Sequence, residues 1–375
     1  MVIKNAKIFT MEGEDRIIGR GWLRFENGLI GEIGEGDYSG ADTGIIDAEG
    51  AGLYPGFIDG HSHIGVMEDS LVFEGDDVNE MTDPITPFLR AVDCINPADR
   101  AFAEASAGGV TCVAAGPGSA NPIGGQFACI KTSGRRVDDM IVKAPISMKM
   151  AMGENPKRVY HGKGRTPETR MATAALIREA LFKTKRYLSD EKPAFDFRCE
   201  ALAPVIKGEL TAHIHSHRAD DIFTAIRICK EFGLNFVIVH CTEGHLIADY
   251  LAAEHVRAFV GPNLSDRSKP ELSNSTFANP GILDKAGVLL GLTVDHPVTP
   301  LQYLPVCAGY AVKFGMNYYS ALSAITINPA KILGVDDRVG SLKPGKDADF
   351  SIIAGDPLDV KGEVRRVWIS GRETK

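Results

Sequence analysis

The chain has 375 residues, 44% of them hydrophobic and 24% charged, the profile of a folded globular protein rather than a disordered one. Acids outnumber bases by 49 to 41, which gives no electrostatic reason to bind nucleic acid, and no nucleic-acid partner is expected. No apolar run reaches eighteen residues and no basic-apolar leader opens the chain, so the expectation is a cytoplasmic protein without a membrane partner. The seven cysteines (94, 112, 129, 199, 229, 241 and 307) are scattered, form no Cys-x-x-Cys pair and read as buried thiols.

The first fifty residues read as short strands broken by glycine turns, at Val2–Phe9, Gly21–Phe25 and Gly28–Ile33. Phe57 and Ile58 then end an apolar run, and Asp59-Gly60-His61-Ser62-His63 follows. Alternate side chains of a strand share a face, so His61 and His63 project into one space. Two imidazoles converging at a strand end hold a divalent metal, with N–metal bonds of about 2.0–2.1 Å. Further strands are expected through Thr111–Val113, Phe127–Ile130, Ile146–Met152, Thr211–His215, Phe236–His240, Arg257–Val260 and Val288–Thr293. Helices are expected at Pro167–Leu188, Asp220–Phe232 (closed by Gly233), Gly244–His255 and Leu304–Phe314. This alternation fits a (β/α)₈ TIM barrel, for which roughly 250 residues are typical. The doubly wound alternative lacks a Gly-x-Gly-x-x-Gly opening. The glycine-rich stretch 116–160 suggests an inserted hairpin, which makes strands three and four the hardest to place. Ala348–Ile353 and Val364–Ile369 again read as strands; neither chain end buries its apolar face alone, so the two combine into one β-domain.

In such a barrel the C-terminal strand ends share one mouth. His61 and His63 end the first strand, His215 ends Thr211–His215, His240 ends Asn235–His240 and Asp295 ends Gly287–Asp295. Four histidines and an aspartate at equivalent ends point to a metal centre holding zinc or another divalent ion, one or two in number. Such a metal lowers the pKa of bound water to about 7, and Asp295 beside it serves as general acid/base.

The run Pro55-Gly56-Phe57-Ile58-Asp59-Gly60-His61-Ser62-His63, with His215, His240 and Asp295, resembles the amidohydrolase superfamily of the imidazolonepropionase/prolidase-like type. Ile325-Thr326-Ile327-Asn328-Pro329-Ala330-Lys331 and Gly340–Asp349 extend the likeness over nearly the whole chain. The resemblance implies a small β-sandwich from residues 1–50 and 335–375 beside a barrel of 51–334. It also implies hydrolysis of an amide, cyclic amide or peptide C–N bond of a small-molecule substrate, and association of copies of the chain into a homo-oligomer. The alternatives are a deaminase of a heterocycle and a non-catalytic assembly barrel. Among His213, His215 and His217, His215 is preferred because it lies seven residues before Ile222, as in peptidase-like relatives; His217 is the second choice or a substrate contact. Relatives bridge two metals with a strand-four lysine or a glutamate. Glu154, at the end of its strand, is preferred over Lys149, with Lys131 third. Deaminase relatives place a glutamate three residues after the strand-five histidine, where this chain has Arg218. Arg218, Arg158 and Arg267 are therefore expected to receive a substrate carboxylate, and His296 is a further substrate contact.

Overall fold

The computed structural model describes residues 1–375, the side chain of Asp15 excepted. Strands β1 (Val2–Phe9), β2 (Ile17–Glu26), β3 (Leu29–Glu35), β4 (Ile45–Asp47) and β5 (Gly52–Pro55) open the chain. They join the late strands β14 (Phe350–Ala354), β15 (Glu363–Ile369) and β16 (Arg372–Glu373) in one eight-stranded sheet, ordered β16-β15-β14-β5-β1-β2-β3 with β4 on β1. The join between the chain ends is the β5–β14 ladder, where Leu53 faces Ile352 and Pro55 faces Phe350. Its apolar face encloses Ile3, Ile8, Leu23, Phe25, Phe350 and Trp368. Gly52–Pro55 belongs to this sheet, so it extends past the boundary expected at residue 50.

The second sheet is the barrel: β6 (Phe57–Ser62), β7 (Val110–Ala115), β8 (Ile123–Lys131), β9 (Ile141–Ala151), β10 (Thr211–Ser216), β11 (Phe236–His240), β12 (Arg257–Val260) and β13 (Leu289–Leu292). They lie side by side in chain order. Seven run one way, but β8 is antiparallel to both β7 and β9. Residues 116–122 link β7 to β8, too short for the helical crossover of a dozen or more residues that a parallel pair requires, so the chain turns back as a hairpin. The strict strand–helix repeat thus fails at one strand while the barrel stands, and the irregularity falls in the glycine-rich stretch.

Helices at Arg170–Ser189, Ala219–Phe232 and Leu304–Lys313 lie where the apolar spacing puts them. Gly233 ends the second with φ 67°, the left-handed conformation that favours glycine. The expected single helix over 244–255 is instead a 3₁₀ turn, Gly244–Leu246, and a short helix, Ala248–Ala253. Helices at Glu154–His161, Phe197–Ile206 and Asn279–Ala286 were not anticipated. The first holds Pro156 within its opening turn, where a missing N–H costs nothing. Among the described residues, no helix is long and apolar enough to cross a membrane.

β6 and β13 close the barrel without a ladder of their own. Side chains do the work instead. Asp59 accepts the amide hydrogens of His61 and Val294, each at 2.9 Å, and the Thr293 hydroxyl donates to the carbonyl of His61 at 2.6 Å. Gly60 has no side chain to obstruct the ring of Phe259, which crosses the barrel floor; a Cβ there would lie 1.9 Å from a ring carbon. Asp59→Ala strands two buried amides and is expected to destabilise the protein by about 2–4 kcal/mol, read as a lower urea midpoint. Asp59→Asn keeps one acceptor and should lose less.

Candidate metal centre

The barrel brings six donors into two groups at its mouth, with the ligand atoms of each group within 4.8 Å of one another. The first is His61, His63 and Asp295; the second is His215, His217 and His240. His61 and His63 come from the end of β6, and Asp295 follows β13 across the closure. The Asp295 Oδ1 lies 3.1 Å from His63 Nε2 and 3.6 Å from His61 Nε2. The rings of His61 and His240 are 5.6 Å apart, so the two groups adjoin. His61 stacks on Phe127 at 5.0 Å, an apolar floor that the sequence alone did not assign to the site.

Backbone atoms orient the rings. His63 Nδ1 lies 2.7 Å from the carbonyl of Gly116 and His240 Nδ1 lies 2.8 Å from that of Gly261, and donating those hydrogens leaves each Nε2 free for a ligand. His217 Nδ1 meets the Thr242 hydroxyl at 2.7 Å. His240 (φ 73°), Cys241 (φ 46°) and Asp295 (φ 52°) all adopt left-handed backbone conformations, strain of the kind that clusters at functional sites.

Burial disfavours the charged form of four of these imidazoles. It drives His61, His215 and His217 well below the usual histidine range, reinforced by Lys149 at His61 and by His240 at His215 and His217. Burial likewise sets His240 at about 4, although Asp295 opposes it. For Asp295, burial pushes upward, but His240, the hydrogen bond and charge of His63, and Lys149 together hold the carboxyl well below the carboxylate range. Neutral imidazoles and an ionised carboxylate are the donor set a zinc-class ion takes. Among the described residues, His217 Nε2 is buried without a hydrogen-bond partner, so its lone pair is free for an ion. The donor set fits a divalent metal.

Lys149 is fully buried, with Nζ 2.9 Å from His61 Nε2 and 5.6 Å from the Phe127 ring centroid. Burial lowers its pKa to about 7. It stands opposite His213 in the β9–β10 register and shares the barrel's interior face. Glu154, preferred from the sequence as the bridge, lies in neither group. Gly153, with φ 80°, turns the chain out of β9, and Glu154 becomes the first residue of a helix whose amide donates to Glu271 at 3.0 Å. Lys131 is at the opposite end of the barrel because β8 runs backwards, and it pairs there with Asp347 and Asp349. At the end of β10 and just beyond it, His215 and His217 both reach the mouth, whereas His213 lies deeper, 5.5 Å from the Phe259 ring.

The expected anion receptors are elsewhere. Arg218 is occupied by Asp220 at 2.9 Å, Arg158 is exposed, and Arg267 is exposed and donates to the carbonyl of Ser275 at 2.8 Å. His296 is buried, its Nδ1 accepting the amide of Leu301 at 3.3 Å while its carbonyl accepts that of His63 at 2.9 Å. The cation facing the histidines is Lys269, which donates to Asn155 at 3.1 Å and lies 2.6 Å from Glu271. Asn155 in turn approaches His215 at 3.4 Å. Lys269 and Glu271 follow β12 in a segment without strand or helix periodicity, so no sequence pattern marked them.

The family model described as the amidohydrolase family matches residues 53–374. An amidohydrolase from Thermotoga maritima MSB8 superposes with a TM-score of 0.95 at 44% identity, covering 99% of this chain and 98% of that one. Amidohydrolase tasK of Hapsidospora irregularis is 29% identical over 419 residues; the match takes in 99% of this chain but 42% of tasK, so this chain spans less than half of that relative's length. Imidazolonepropionase of Symbiobacterium thermophilum is 23% identical over 94% of this chain and 90% of its own. With the barrel, the terminal sheet and the paired donor groups in place, the chain belongs to the amidohydrolase family, hydrolases that act on carbon–nitrogen bonds.

Proposed function

We propose that this protein is a two-metal hydrolase of an amide-type C–N bond in a small-molecule substrate. The observation that carries the reading is the pair of donor groups sharing one mouth, with the buried Lys149 amine against His61. His61, His63 and Asp295 would hold one divalent ion, and His215 and His240 with His217 the other. When bound, such ions acidify water to a pKa of about 7 and polarise a carbonyl. Lys149 would add carbon dioxide to become a carbamate, its neutral amine forming the N–C bond and releasing one proton, and the new carboxylate would supply an anionic donor beside both groups. Burial favours this by keeping a large fraction of the amine neutral near pH 7.

Asp295 is the proton carrier. Ionised and 3.1 Å from His63, it accepts a proton from the attacking water and returns it to the leaving nitrogen. Asn155 and Lys269 line the mouth beside His215 and Glu271. Phe127 and Phe259 form an apolar floor, a low-dielectric surrounding that strengthens these electrostatic interactions.

Two measurements test this reading. Asp295→Asn should stay folded and slow hydrolysis, across a panel of N-acyl amino acids, dipeptides and cyclic amides, by roughly 10²–10⁴-fold; near-normal turnover would remove Asp295 from proton transfer. Lys149→Ala should lower the metal content of the purified protein, with partial recovery in a short-chain carboxylic acid, while Glu154→Gln keeps the wild-type count. The reverse pattern, by elemental analysis, would return the bridge to Glu154.

A further inference from the structure

Glu271 is nearly inaccessible, at 1% exposure, yet it comes from a loop, on the 3₁₀ turn Pro270–Leu272 after β12. Its Oε2 is fixed by the amide of Glu154 at 3.0 Å. The close approach depends on Gly153, where a Cβ would lie 2.9 Å from that oxygen. With Oε2 pinned, Oε1 points at the second donor group, 3.7 Å from His215 Nε2 and 3.6 Å from His217 Nε2. These separations exceed any hydrogen bond. They suit two ligands of one ion, since bonds of about 2.0–2.1 Å at tetrahedral angles put ligand atoms about 3.3–3.5 Å apart. In the first group the carboxylate lies somewhat closer, with Asp295 Oδ1 at 3.1 and 3.6 Å from its two histidines. His217 Nε2, facing this carboxylate, is the buried nitrogen without a hydrogen-bond partner.

We propose that Glu271, which approaches His215 and His217 although it lies outside the 4.8 Å span those two share with His240, is a further metal ligand of the second group, as Asp295 is of the first. Each ion then has a carboxylate from this chain, and the second does not depend on Lys149 alone for its anionic ligand. The Lys269 ammonium, 2.6 Å from Oε1, supplies a balancing charge. Lys269 therefore competes with the ion for the same oxygen. The proposal rests on the two-metal reading above and extends it to a residue outside the strand ends.

The test is zinc and cobalt titration of the full-length protein after chelation, with metal counted by elemental analysis and cobalt followed by its visible absorption. Wild type should bind two equivalents. Glu271→Gln should keep the first and weaken the second by roughly 100-fold or more, at or above the range lost when only an outer partner of a ligand is removed, with a changed cobalt spectrum. Lys269→Met should bind the second equivalent more tightly, because the competing ammonium is gone. Two tight equivalents and an unaltered spectrum in Glu271→Gln would overturn the proposal while leaving the two-metal reading intact. So would a Lys269→Met protein that melts lower with unchanged metal affinity, the behaviour of a simple ion pair. Should wild type bind no metal tightly, the two-metal reading itself would fall.

Discussion

The carboxylate of Asp59 accepts the amides of His61 and Val294 across the only neighbouring pair of barrel strands, among the described residues, that lacks a ladder of its own. Elsewhere the barrel is held by repeated backbone hydrogen bonds, and here a few side-chain bonds must do the same work. They also set the chemistry, because His61 is itself one of the residues being clipped and Asp295 lies immediately beyond Val294. Thr293 ties the two sides again, donating to the carbonyl of His61 and accepting the amide of Asp295 at 3.1 Å. The distance between the first histidine pair and its carboxylate is thus a consequence of how the barrel closes. Residues placed by such short connections are held more tightly than residues on free loops, which is what a metal site with narrow distance tolerances needs.

Beyond the closure, the centre is governed by exclusion of water. Phe127 packs against His61 and Phe259 against His213, and burial disfavours the charged forms of these two rings and of the Lys149 amine. The same burial would penalise Asp295 and Glu271 as anions, but neighbouring histidines and lysines reverse the balance and both stay ionised. Uncompensated buried charges cost several kcal/mol each, so these carboxylates need cationic partners on every side. Lys269 and Lys149 partly meet that need in the protein by itself, and a divalent ion would meet it more fully.

At the far end of the barrel a second buried ionic cluster has a different role. Lys131 ends the reversed strand β8 and meets Asp347, at 2.8 Å, and Asp349, both next to the small sheet. Burial alone would depress its pKa, but Asp349 and Asp347 keep it charged. Arg338 joins the cluster through Asp347 at 2.8 Å. Among the described residues no histidine contributes, and two carboxylates already pair with the ammonium, so the cluster fastens the terminal sheet to the barrel. It explains in physical terms why Lys131 is unavailable as a bridging lysine.

Much of this protein was legible in its sequence, for reasons that can be given residue by residue. The period-two alternation of His61 and His63 put two imidazoles on one face whatever the remainder of the fold did. The uninterrupted apolar runs before His240 and Asp295 marked buried strands with polar residues at one end. The β-like character of both chain ends implied a shared sheet, since neither could cover its own apolar face. The tertiary structure decided what depends on direction and approach between distant segments. The direction of β8 came from a connection too short to cross over, and it sent Lys131 to the wrong end of the barrel. The turn at Gly153 took Glu154 out of the mouth and left Lys149 inside it. Arg218 lies at the surface, paired with Asp220. Glu271, separated in sequence from every other donor and lacking any periodic pattern, reached the histidines only because a loop folded inward over Gly153. Local spacing governs which residues share a face, and only packing of non-local segments governs which faces meet.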